Sequence, residues 1–221
     1  MQAWDSISET VEFTAPVDTV RISQLLDPQA RILDLGCGYG RVTAQLSLQG
    51  FANVIGYDAS QRMIERGRLE YPDLKLEVAN AHAIPESDES FEAVVIAALL
   101  TSEPERHRRS AIISEIARLL APDGLVIGVD FLVNDNVQYN GNGHFAGPEG
   151  IEMKHFSEQE LAEEFSQFKN WECKKVPAKT ISGSSISALQ YAARQPANKG
   201  FNRTPESSGP ARPGELGGGA G

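Results

Sequence analysis

Cysteine is scarce in this chain. It has two, Cys37 and Cys173, with no CxxC pair between them. A disulfide framework and a dithiol redox centre are therefore excluded. Long apolar runs are also missing, and none approaches the ~20 residues of a membrane span. The first residues lack the basic flank and apolar core of a secretion signal. The expectation is a cytoplasmic protein with no membrane partner. Basic charge is short as well: 20 Lys and Arg face 30 Asp and Glu, for a net charge of -10. Proteins that neutralise nucleic-acid phosphates usually carry a basic footprint. The densest basic cluster is Arg106-His107-Arg108-Arg109, flanked by Glu103, Glu105 and Glu115. It reads as a solvated helix face. A small-molecule substrate is favoured over nucleic acid. Metal-ligand spacing and internal repeats are absent too.

What is present is concentrated near residue 36. The apolar run Arg31-Ile32-Leu33-Asp34-Leu35 enters Gly36-Cys37-Gly38-Tyr39-Gly40, and an amphipathic segment follows. A second apolar run, Asn53-Val54-Ile55-Gly56-Tyr57, ends on Asp58. This is the pattern of a βαβ unit that holds a ribose-bearing cofactor. The glycines let the backbone turn sharply and approach a ligand without a Cβ in the way. An acid at the tip of the second strand can accept hydrogen bonds from ribose hydroxyls. The spacing separates cofactors. A dinucleotide fingerprint, G-x-G-x-x-G, would need glycine at position 41, which is Arg41. The Gly-Lys-Ser/Thr of a P-loop is absent. Cys37 is read as a small packing residue of the turn.

The remaining pattern alternates strands and helices, as a doubly wound α/β sheet requires. Helix is expected over 3–27, over 41–49 (Val42, Leu46 and Leu48 inward), after a Ser60 cap in a segment that carries Met63, Ile64 and Leu69 and ends before Pro72, over about 104–120, and from Ser157 to about 168. Strands are expected at 31–35, 53–57, 74–79, 93–97 and 125–131. A hairpin across Gly183 pairs 172–180 with 185–193. Hydrophobic residues make up 41% of the 221, enough for one domain with a core over 1–195. Residues 196–221 are rich in Gly, Pro and Ser and are expected to form a disordered tail.

Asp34-x-Gly36-x-Gly38-x-Gly40, followed by Asp58, resembles the first motif of the class I, Rossmann-like S-adenosylmethionine-dependent methyltransferases. Three later segments resemble that family in the same order. They are Val78 to Pro85 with Ser90 to Val95, Leu119 to Val126, and His155 to Leu161. The last is similar to its small-molecule members. The resemblance covers roughly residues 20–195. It implies a seven-stranded, mostly parallel sheet whose last strand is antiparallel beside the fifth. It also implies S-adenosylmethionine as cofactor and transfer of a methyl group to O, N, S or C of a small molecule. Cofactor contacts are implied at Asp34, Gly36, Cys37, Gly38 and Gly40 in the turn. Asp58, Ala59 and Met63 follow the second strand, Asn80 and Ala81 the third, and Ala97 ends the fourth. Asn80 stands where the family usually has Asp, and its amide oxygen can still accept a hydrogen bond. Ala97-Ala98-Leu99-Leu100 replaces the Asn/Asp-Pro-Pro-Tyr signature of nucleic-acid amino methylases. Protein or RNA methylation and a non-catalytic binding module are the alternatives.

A sulfonium donor is already activated, so orientation of the acceptor can supply much of the rate. A base is needed only where the acceptor must lose a proton. Candidates lie in the long stretch 133–154, rich in Asn-Gly, Gly-His and Gly-Pro steps, and just after it. Tyr139, His144 and His155 are the candidate bases or acceptor contacts. His82 is expected at the cofactor pocket or the surface. Trp4 and Phe13 are candidates to close over the substrate.

Overall fold

A computed structural model of the chain describes residues 2–135 and 137–197. The expected tail from 198 onward lies outside the described residues. β1 (Arg31–Leu35), β2 (Asn53–Asp58), β3 (Lys75–Val78), β4 (Phe91–Ala97) and β5 (Leu120–Phe131) run parallel. β8 (Lys169–Lys179) and β9 (Ser185–Arg194) form the expected hairpin, with Gly183 at φ 86° in its turn. β9 inserts antiparallel beside β5, giving the order β3-β2-β1-β4-β5-β9-β8. This is the seven-stranded sheet that the resemblance implies.

Side-chain alternation along the central strands builds two cores. Leu33, Leu35, Val94 and Ile96 face α5 (Arg106–Leu119) and α6 (Glu158–Glu164) through Ile112, Ile116, Phe156 and Leu161. Ile32, Ala93 and Val95 face α2 (Thr19–Leu25) and α3 (Arg41–Leu48) through Ile22, Val42 and Leu46. With helices on both faces, the strands must be apolar throughout. Residues Ala93 to Ile96 are all fully buried. α4 (Gln61–Glu70) starts at Ser60, whose hydroxyl accepts from the Met63 amide. Ser157 and Glu160 form the capping box of α6.

Several expectations are corrected. The helix over 3–27 is two short helices, α1 (Gln2–Ser6) and α2, joined by a turn at 7–10 and irregular backbone over 11–18. Pro16 disfavours helix at Ala15, and Val11, Phe13, Ala15 and Val17 alternate with more polar residues. Leu48 is 86% exposed, because the inward face of α3 is set by Val42 and Leu46, and Leu48 lies two residues round from it. The helix expected to reach 168 stops at Glu164, where Phe165 and Phe168 turn into the core. The basic cluster is not wholly solvated: Arg109 is buried, donates to Glu164 and to the Glu103 and Pro104 carbonyls. The stretch 133–154 is partly ordered as a hairpin of β6 (His144–Ala146) and β7 (Glu152–Lys154).

Candidate active site

The site begins at the carboxyl end of β1. Gly36, Gly38 and Gly40 all have positive φ, at 73°, 56° and 86°. These values favour glycine. The Gly36 and Cys37 amides both donate to the Tyr57 carbonyl at the end of β2. The Gly38 amide donates to Asp58 Oδ2 at 2.9 Å, and the Ser60 amide to Oδ1 at 2.8 Å. The strand-tip acid thus ties the glycine turn to the start of α4. Burial pushes its carboxyl up, while the Ser60 and Gly38 amides pull it down.

The carboxyl ends of β1, β2 and β4 enclose one cavity. Asp34, Gly36, Cys37, Asp58, Ala59 and Met63 line it, with Asn80 and Ala81 beyond β3 and Ala97 at the end of β4. Gly38 and Gly40 shape the turn without lining the cavity. A Cβ on Gly40 would meet Leu76 at 2.9 Å, inside the core. Cys37 is buried and burial holds its thiol protonated. His82 lies exposed at the rim. Ala98, also lining the cavity, has φ 57°, a strained value for a residue with a side chain.

Two residues that line this space, Asp34 and Arg41, each keep a buried side-chain atom, Oδ1 and Nε, with no hydrogen-bond partner among the described residues. The other Asp34 oxygen accepts from Thr43 Oγ1 at 2.6 Å. Burial pushes the Asp34 carboxyl up to about 6. Buried polar groups are nearly always paired, so an orphaned acceptor and an orphaned donor together point to a ligand carrying both complements. Arg41 was noticed in the sequence only because it breaks the dinucleotide fingerprint.

The N-terminal segment forms a strap over the cavity. Arg66 of α4 holds it by donating to the Ser8 and Val11 carbonyls and to Glu12. Its guanidinium also stacks 3.9 Å over Tyr39. Phe13 stacks on Tyr39 at 5.4 Å, with Trp4 6.0 Å from Phe13. Farther on, Thr14 donates to the Lys179 carbonyl, and Arg41 and Gln190 donate to Ala15 and Pro16. Trp4, Phe13, Thr14 and Ala15 all line the cavity.

Beyond Phe131, Met153 and Ile181, which line both spaces, the cavity passes into a groove under the β6–β7 hairpin. His155 lines the groove, and its Nδ1 lies 2.8 Å from the Tyr139 hydroxyl. That hydroxyl accepts from the Asn134 amide. Desolvation lowers the His155 imidazole to about 4, with Lys154 acting in the same direction. His144 does not join the pair. It lies in β6, half-buried, and lines neither space. A buried network supports the wall. Asp130 accepts from the Tyr191 hydroxyl and the Thr101 amide, and Thr101 Oγ1 accepts from the Phe131 amide.

Open α/β sheets bind their ligands outside the carboxyl ends of the strands, which is where this cavity lies. The methyltransferase-domain family matches residues 32–124. A SAM-dependent methyltransferase of Methanosarcina mazei superposes with TM-score 0.73 at 26% identity, covering 80% of this chain and 98% of that one. A 27-O-demethylrifamycin SV methyltransferase of Amycolatopsis mediterranei is 30% identical over 59% of this chain and 50% of its own length. The EEF1A lysine methyltransferase 4 of Mus musculus is 29% identical over 58% and 60%. The chain spans about two to three fifths of the length of the curated relatives it matches. Its fold is that of the class I, Rossmann-like S-adenosylmethionine-dependent methyltransferases, and residues 32–124 match a methyltransferase domain.

Proposed function

We propose that the chain transfers a methyl group from S-adenosylmethionine to O, N, S or C of a small-molecule acceptor. The observation that carries this reading is that Asp34 and Arg41 line one cavity and each keep an unmatched buried atom, Oδ1 and Nε. When bound, S-adenosylmethionine supplies an activated methyl on a sulfonium. Asp34 would take its ammonium, and Arg41 its carboxylate. Asp58 would accept from the ribose hydroxyls, its two oxygens already fixed in direction by the Gly38 and Ser60 amides. Asn80 and Ala81 would meet the base. Phe13, Leu99 and Met153 exclude water from the space between cofactor and acceptor.

His155 has a defined chemical range. With its imidazole near 4 it is neutral at pH 7, yet too weakly basic to be a strong proton acceptor. Its role is to orient the acceptor, together with Tyr139, and a readily ionised or already nucleophilic acceptor fits such a site. A protein lysine acceptor is the second reading, supported by the mouse relative. Release of S-adenosylhomocysteine should be measured across a panel of metabolites and lysine peptides. Turnover on a metabolite supports the proposal. Turnover on peptides alone moves it to the second reading, and binding without any turnover marks a regulatory module.

A further inference from the structure

The groove beyond Met153 and Ile181 differs from the cofactor cavity in one chemical respect. The cavity is lined by Asp34, Arg41, Asp58, Glu103 and Arg108. Among the described residues, no Asp, Glu, Lys or Arg lines the groove. Its deep wall is apolar and aromatic. The Phe145 ring lies 4.4 Å from the His155 ring, and Phe131 lies 5.7 Å from it on another side. Its mouth carries only neutral amides and hydroxyls, among them Gln138, Asn140, Thr180 and Ser184. Lys154, next in sequence to the lining residues Met153 and His155, is engaged elsewhere: its ammonium donates to the Asn142 carbonyl and pairs with Glu160.

Resting on the methyltransferase reading, we infer that this groove seats the acceptor and selects an uncharged, ring-bearing small molecule. An ionised carboxylate, phosphate or ammonium would lose its water there and meet no opposite charge, which is costly. Flat rings gain from stacking against Phe145 and His155. His155 adds no charge, since burial keeps it neutral at pH 7. The groove has about 910 Å³ of space, in the range of pockets that take drug-sized ligands. The amides and hydroxyls at the mouth can bond neutral carbonyl or hydroxyl groups of the ligand. A lysine side chain would bring an ammonium to a wall with no carboxylate.

The test uses the full chain saturated with S-adenosylhomocysteine and calorimetry at pH 7.5. The probes are 2-naphthol, 2-naphthoate and 2-naphthylmethylammonium, one ring system in three charge states. Naphthol should bind at least about tenfold more tightly than either ion, roughly 1.4 kcal/mol. Phe145→Ala should weaken naphthol about fivefold or more and leave the S-adenosylhomocysteine Kd within about threefold. Ser184→Lys, on the exposed turn, should raise naphthoate affinity relative to naphthol without touching the core. Equal or tighter binding of either ion, or no naphthol binding, overturns the inference. So does an unchanged naphthol Kd in folded Phe145→Ala. Failure of S-adenosylhomocysteine to bind would instead sink the cofactor reading, and the three probes still rank the groove on the unloaded chain.

Discussion

Asp58 is where loss of binding and loss of structure can be told apart. Its carboxylate fixes the Gly38 and Ser60 amides at 2.9 and 2.8 Å and is proposed to accept the ribose hydroxyls. Asp58→Ala removes both jobs. A hydrogen bond to a charged group is worth about 1.5–3 kcal/mol, and water can replace part of each at this half-buried position. A net loss of about 1.4–3.5 kcal/mol corresponds to a Kd weaker by tenfold to several hundredfold. The two backbone contacts add a stability cost of about 1–3 kcal/mol, or a Tm drop of roughly 2–12 °C at this size. Calorimetry with S-adenosylhomocysteine and a thermal melt measure the two effects on one preparation. A lowered Tm with an unchanged Kd would refute the reasoning, leaving Asp58 as a brace for the turn alone.

Four further outcomes are expected. Affinity for S-adenosylhomocysteine should rise from pH 5 to 7.5, because Asp34 must ionise to meet the ammonium and its carboxyl sits at about 6; Asp34→Asn should flatten that rise in a calorimetric pH series. The same elevated value means that Asp34 favours the unliganded fold most below its ordinary 3.8 and that this contribution is lost as pH climbs through about 6, so Asp34→Asn should gain relative Tm above pH 6. A Cβ on Gly38 would collide with the Phe13 ring, so Gly38→Val should displace the strap and weaken cofactor binding by tenfold or more, with tryptophan fluorescence of Trp4 reporting the displacement. Replacing Tyr139, His144 and His155 by Phe, Gln and Gln should leave cofactor affinity within about threefold and lower kcat or raise the acceptor KM; in single variants the effect should come from His155→Gln and Tyr139→Phe, with His144→Gln near silent.

The glycine turn and Asp58 were legible because local chemistry dictates them. Positive φ demands glycine at 36, 38 and 40, and a strand ending on an acid places that acid at the sheet's carboxyl edge. The strap was not legible, although its signal exists. Val11, Phe13, Ala15 and Val17 recur every second residue, but the segment is held in place by distant partners, Arg66, Lys179 and Gln190. Arg41 was hidden for a similar reason. Its side chain matters through the cavity it shares with Asp34, which only the folded turn creates. The pairing of His155 with Tyr139 depends on the hairpin between them, and the residue count alone gave His144 an equal claim. The separation of Leu48 from the core follows from helical spacing, since it lies two residues from Leu46 and so off the buried face.

The central claim is that this cavity takes S-adenosylmethionine, and a single calorimetric titration tests it. The full chain should bind S-adenosylhomocysteine at one site per chain and show no heat with NAD or ATP at the same concentration. Tight NAD binding, or no S-adenosylhomocysteine binding by folded protein, would contradict it.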